Sequence, residues 1–199
     1  MCIICEEKEL FNKKKLDCYS CRYIRKIPFI SGLKELNCSW CTDLREIPVI
    51  PGLEQLICSD CPDLGKIPVI PGLKELCCFR CTNIAKIPFI PGLENLDCSQ
   101  CTNIREIPVI PGLKELVCYD CTNITEIPVI PGLEKLDCCC TNIREIPAIL
   151  GLKELVCCGC TNLRKIPVIL GLKELDCSWC EKLTEIPFMP GLKKLDCSY

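Results

Sequence analysis

Apolar residues return along this chain on a fixed schedule. Counting from Leu33, the apolar positions are Leu36, Cys38, Cys41, Leu44, Ile47 and Ile50, with mostly polar residues between them. Leu36-Asn37-Cys38 alternates in and out, the period-two pattern of a short strand, and Leu33 and Cys41 flank it at the turns. After Leu44 comes IPVIPG. Its prolines, three residues apart, remove amide donors and fix φ, so the path there is extended and polyproline-like, with almost no helix. Gly52 then lets the chain turn back with positive φ.

This unit of about twenty residues occurs about ten times. One leucine marks the register at Leu16, Leu36, Leu56, Leu76, Leu96, Leu116, Leu136, Leu155, Leu175 and Leu195, and only the step from Leu136 to Leu155 is one residue short. Six or seven apolar side chains cannot offset the entropy of ordering twenty residues, so a unit is stable only when stacked on its neighbours. The predicted architecture is a solenoid whose parallel strands lie about 4.8 Å apart on a curved, concave face, ten of them spanning roughly 45 Å. Residues 1–12 are read as an N-terminal cap segment and residues 13–199 as one solenoid domain.

The pattern LxxLxCxxCxxLxxIPxIPG resembles a leucine-rich repeat, with cysteine where many such repeats carry the asparagine that hydrogen-bonds along the stack. The paired prolines look like the short repeats of bacterial effectors of the IpaH type, and CTNI-x-x-IP is similar to cysteine-bearing repeats of plant intracellular immune receptors. Taken whole, over about residues 13 to 199, the chain looks most like the uncharacterised leucine-rich repeat proteins of giant, mimivirus-like viruses. The resemblance implies a solenoid that binds a protein on its concave face, in the host cytoplasm if the chain is viral. The effector family's ubiquitin-ligase domain has no counterpart in these residues.

Charge and composition narrow the function. Lys and Arg number 24 against 26 for Asp and Glu, a net charge of −2, which provides no global field for nucleic acid or anionic lipid. Apolar runs are broken well short of the roughly 20 residues of a membrane span. MCIICEEKELFNKKK carries charges where a secretory signal needs an apolar stretch, so the expected location is intracellular, without secretion. There is no histidine and no glycine cluster, so imidazole-based nucleophilic sites and phosphate-cradling loops are absent. The chain reads as a non-enzyme without a cofactor.

Cysteine accounts for 24 of 199 residues, recurring in pairs such as Cys38/Cys41 and Cys98/Cys101. Both members fall at inward or turn positions, which suits buried, reduced thiols acting as small hydrophobes. The spacing also matches zinc sites, and Cys2, Cys5, Cys18 and Cys21, outside the regular phase, form the metal alternative. Asn83, Asn103, Asn123, Asn142 and Asn162 are assigned to shaping the turn after the strand.

Variation collects in the outward columns of the strand face. Ile57, Cys77, Phe79, Val117 and Tyr119 make an apolar patch on units three to six, rimmed by Asp60, Arg80, Asp97 and Asp120. With Trp40 and Trp179 these residues are the candidate anchors for a protein or peptide, against the alternative that β-preferring residues simply suit strand positions. LDCSY at 195–199 reads as an edge strand, through which self-association into a structural assembly is a further possibility.

Overall fold

A computed structural model describes Ile4 and residues 13 to 198. Over these residues the chain is a parallel β-solenoid without helix, its ten three-residue strands stacked in sequence order. They are β1 (Lys15–Asp17), β2 (Glu35–Asn37), β3 (Gln55–Ile57), β4 (Glu75–Cys77), β5 (Asn95–Asp97), β6 (Glu115–Val117), β7 (Lys135–Asp137), β8 (Glu154–Val156), β9 (Glu174–Asp176) and β10 (Lys194–Asp196). The marker leucines form one continuous row, Leu36 lying opposite both Leu16 and Leu56. The shortened unit keeps this register, with Leu136 opposite Leu155.

The inward set of the second unit is the one the periodicity picks out: Leu33, Leu36, Cys38, Cys41, Leu44, Ile47 and Ile50 are all buried. The same positions of other coils join them in one continuous core. The outermost coil is the exception, where Leu183, Ile186 and Leu192 are only partly buried and Leu195 is half exposed.

The hydrogen-bond ladder runs past the strands. After β2, the Cys38 amide donates to Ile57 O and the Trp40 amide to Ser59 O, both at 2.8 Å. Reaching the second bond requires a left-handed corner, with φ of 61° at Trp40, 56° at Gln100 and 56° at Cys140. For a side chain with a Cβ this conformation costs on the order of 1–2 kcal/mol. It persists because the alternative is an unsatisfied amide beside the core. The return turn uses glycine for the same geometry, as at Gly112 with φ of 89°.

The second cysteine of each pair has a role beyond packing. Its thiol donates to the carbonyl of the first cysteine one coil back: Cys41 Sγ to Cys18 O at 3.1 Å, Cys81 to Cys58 O at 2.9 Å, Cys101 to Cys78 O at 3.0 Å, Cys180 to Cys157 O at 3.1 Å. The residue missing from the shortened unit is this second cysteine. Buried Thr141 fills its place but donates at 2.7 Å to Cys138 O of its own coil rather than to the coil before it.

Two sequence expectations change. The asparagines bond between coils rather than within their own turn: Asn103 Nδ2 donates to Thr82 O at 2.7 Å and Asn123 Nδ2 to Thr102 O at 2.6 Å. The amide stretches to the preceding coil because the stacking distance is within its reach. Not every cysteine is a free thiol, either: Cys139 and Cys158, both outside the core columns, are joined as a disulfide.

Replacing Cys101 by alanine removes the donor to a buried carbonyl, which should cost about 1–3 kcal/mol. Serine keeps the donor. Urea unfolding followed by circular dichroism should rank Cys101→Ser above Cys101→Ala; the reverse order would reduce the thiol to apolar filler.

Candidate interaction face

The exposed face of the sheet is organised by three columns. The first, preceding the marker leucine, carries charges paired across coils, as in Lys15–Glu35 at 2.7 Å and Lys194–Glu174 at 2.9 Å. Lys135 lies between Glu115 at 3.3 Å and Glu154 at 3.6 Å. One position earlier the signs alternate from Lys34 to Lys153, with Lys34–Glu54 at 2.7 Å and Lys153–Glu134 at 2.6 Å. Exposed pairs of this kind each contribute about 0–1 kcal/mol. Alternation is not strict, since Glu154 lies directly opposite Glu174.

The second column, just after the marker leucine, divides into two chemistries. At Asp17, Asn37, Asp97, Asp137 and Asp176 the side-chain Oδ1 accepts the amide two residues on, at 2.9 to 3.1 Å. Such a local bond braces the corner and commits the side chain to structure. Ile57, Cys77, Val117 and Val156 occupy the same place without that brace. Three of these, Ile57, Cys77 and Val117, line an open slot of about 260 Å³ across β3 to β6. Gln55, Glu75, Asn95, Asp97 and Glu115 complete its walls.

The slot is apolar in its centre and acidic at its margin. Gln55 Nε2 donates to Glu75 Oε2 at 2.5 Å, and Cys77 Sγ is 3.2 Å from Ser59 Oγ and 3.6 Å from Asp97 Oδ2. Among the described residues neither Glu75 nor Asp97 forms an ion pair with a cation.

The remaining anchors are distributed differently. Phe79 and Tyr119 stand in the third column, on β4 and β6 coils, beside the slot rather than in it. Serines of that column are not exposed as the pattern implied: Ser39, Ser99 and Ser178 are buried, tucked against the corner. Trp40 and Trp179 are exposed at left-handed corners, seven coils apart, and do not meet the patch or each other. Cys2 and Cys5 of the metal alternative lie outside the described residues, as does Tyr199.

One surface feature escaped the sequence reading. The residue between proline and isoleucine in each IPxI is exposed and nearly always large and apolar: Phe29, Val49, Val69, Phe89, Val109, Val129, Val168 and Phe188. They form a second apolar stripe, away from the strands. The signal was present in the Val or Phe that fills this position in every unit but the one with Ala148, but periodicity alone does not distinguish an exposed apolar position from a buried one.

The thiol environment bears on metal chemistry. Burial, then the neighbouring Cys121, pushes Cys118 well above the ordinary thiol value, and burial beside Cys180 pushes Cys177 up to about 12. Interaction with Cys98 lowers Cys121, while Cys121 and burial raise Cys98, so the pair gives up its first proton more readily and holds the second. Metal ligation needs thiolates, whereas these sulfurs donate to carbonyls. Among the described residues no group of three or more such side chains is arranged around a common metal position. No helix of the described residues is long and apolar enough to cross a membrane.

No protein-family model, curated protein or solved structure matches the chain.

Raised thiol values tie stability to pH. The folded chain retains protons that the unfolded chain releases above about 8.5, so the contribution is complete below that value and is lost as pH climbs towards the folded value. In the presence of a phosphine reductant, the thermal midpoint should fall steadily between about pH 8.5 and 11. A flat midpoint over that interval would mean sulfurs already open to water.

Proposed function

We propose that the chain is a non-catalytic binding solenoid of the leucine-rich repeat type, taking an extended peptide or protein segment on its strand face. The observation that carries the reading is the slot over β3 to β6. There, Ile57, Cys77 and Val117 replace the Asp or Asn that would brace the corner, giving up a local hydrogen bond for apolar surface. A face selected for folding alone has no need of that exchange. Phe79 and Tyr119 extend the apolar area, and large rings beside a groove supply contact at low entropic cost.

The acids define the ligand. Among the described residues Glu75 and Asp97 border the slot without a paired cation, Glu115 being held by Lys135, so a segment with an apolar residue flanked by Lys or Arg is complementary. A mimivirus-like source, a host-cytoplasmic location and the absence of nucleic-acid or membrane partners are part of the same reading, resting on the repeat wording and the balanced charge.

The second apolar stripe supports a second reading, a self-assembling structural protein. Its residues are about half exposed or more, as at Phe29 with 63% and Phe188 with 85%. A patch this continuous is normally covered. Another copy's stripe has the matching repeat distance.

Peptides selected from a random library against the intact chain should carry an apolar residue beside Lys or Arg. Their affinity should drop at least about tenfold, 1.4 kcal/mol, in Val117→Lys and in the double variant Phe79→Ala/Tyr119→Ala, with unchanged circular dichroism. Selected peptides that bind Val117→Lys as well as the parent would remove the slot from consideration. Sedimentation velocity addresses the other reading: Phe29→Ser/Phe89→Ser/Phe188→Ser should abolish any concentration-dependent association, and a strictly monomeric parent would rule out assembly.

A further inference from the structure

Cys139 and Cys158 stand apart from every other described cysteine. They occupy the third column of the strand face, where the other coils carry Tyr19, Ser39, Ser59, Phe79, Ser99, Tyr119 and Ser178. Only in these two successive coils do cysteines become neighbours there. Stacking brings their Cα atoms to 4.7 Å, inside the span that a disulfide bridges without backbone movement.

The backbone around the pair is held on both sides. Cys139 N donates to Asp137 Oδ1 at 3.1 Å, Asp120 N donates to Cys139 O at 2.8 Å, and Cys140 N donates to Cys158 O at 2.9 Å. Bond formation or cleavage therefore asks only for side-chain rotation. Access is unequal: Cys139 is buried at 3% exposure, whereas Cys158 is partly open. A third sulfur competes for the same place. Cys140 is exposed, and its Sγ lies where a Cβ on Gly159 would come within 3.0 Å, so glycine after Cys158 makes room for it.

We propose that Cys139 and Cys158 are a reversible thiol–disulfide exchange site, oxidised by a low-molecular-weight disulfide and reduced by the corresponding thiol. Cys158, the reachable sulfur, attacks as thiolate on one sulfur of the small disulfide and releases one small thiolate, forming a mixed disulfide. Cys139, shielded from solvent but adjacent, then attacks the Cys158 sulfur and releases the second small thiolate. Two protein thiols lose two protons and two electrons, and one small disulfide becomes two thiols. The core cysteines are spared because solvent does not reach them. With one sulfur, that of Cys158, reachable from solvent, the cross-link is open to reduction by a cellular thiol pool, which separates it from a permanent structural disulfide.

The test uses the full chain, first reduced, then treated with glutathione disulfide, quenched by alkylation and digested with trypsin. The parent should yield peptide 136–144 joined to peptide 154–164 through Cys139 and Cys158, and dithiothreitol should restore both thiols. Cys139→Ser should lose the cross-link and accumulate one glutathione on Cys158. Cys158→Ser should lose the cross-link and acquire none on Cys139, and Cys140→Ser should behave as the parent. Serine occupies this column at Ser99 and Ser178, so the Cys139 and Cys158 variants fold, which circular dichroism checks. The proposal fails if the cross-link runs through Cys140, if Cys139→Ser carries no adduct on Cys158, or if the parent stops at the mixed disulfide.

Discussion

Every coil of this solenoid relies on its neighbour to satisfy the polar groups beside its core. The strand amides, the corner amide after the strand and the second cysteine's thiol all find acceptors one coil away. Because an unpaired buried donor costs more than a made bond gains, a coil without a neighbour is penalised twice, in exposed apolar surface and in orphaned polar groups. The exposure of Leu195 in the outermost coil shows the apolar half of that penalty directly. Stability in such a stack resides in the interfaces between units, which is why the same unit recurs with so little change.

That dependence constrains the corner more than the strand. Asp or Asn braces it in six of the coils, and left-handed φ at residues as unsuited as Trp40 and Gln100 is tolerated to complete the ladder. The brace is abandoned at Ile57, Cys77, Val117 and Val156; the first two are adjacent, and with Val117 across Asp97 they line one slot because the coils are in register. The slot is thus a by-product of the stacking rule, made specific by three of the four exceptions to it. The stripe of IPxI residues has a different origin: proline holds the chain on an extended path of three residues per turn, which buries every third side chain, as at Ile47, Ile50 and Leu53, and leaves the residue after the first proline exposed.

Cysteine serves this chain in several environments. In the core it is a small apolar group with a weak donor, and the column accepts Thr141 in its place because its hydroxyl finds a carbonyl of its own coil, Cys138 O. On the strand face at Cys77 it borders the slot. At Cys139 and Cys158 it is covalently paired. Chemistry is identical in all of these; exposure and the identity of the neighbour one coil away decide the behaviour.

From the sequence alone, the period, the strand positions, the inward set of seven residues and the absence of helix could all be read, because each is a local pattern repeated about ten times and any error in phase would show. The marker leucines and the core of the second unit are found where periodicity puts them. The repeat could not reveal what lies between coils: that Cys101 donates to Cys78 O, that Asn103 reaches Thr82, that Ser99 is buried while Tyr119 is exposed, or that Cys139 meets Cys158. Residues about twenty positions apart become neighbours only when the stack forms, so their contacts depend on which two side chains face each other and not on either one alone. For the same reason Ile57, Cys77 and Val117 could be named from their column, but their union in one slot, apart from Trp40 and Trp179, was settled by tertiary structure.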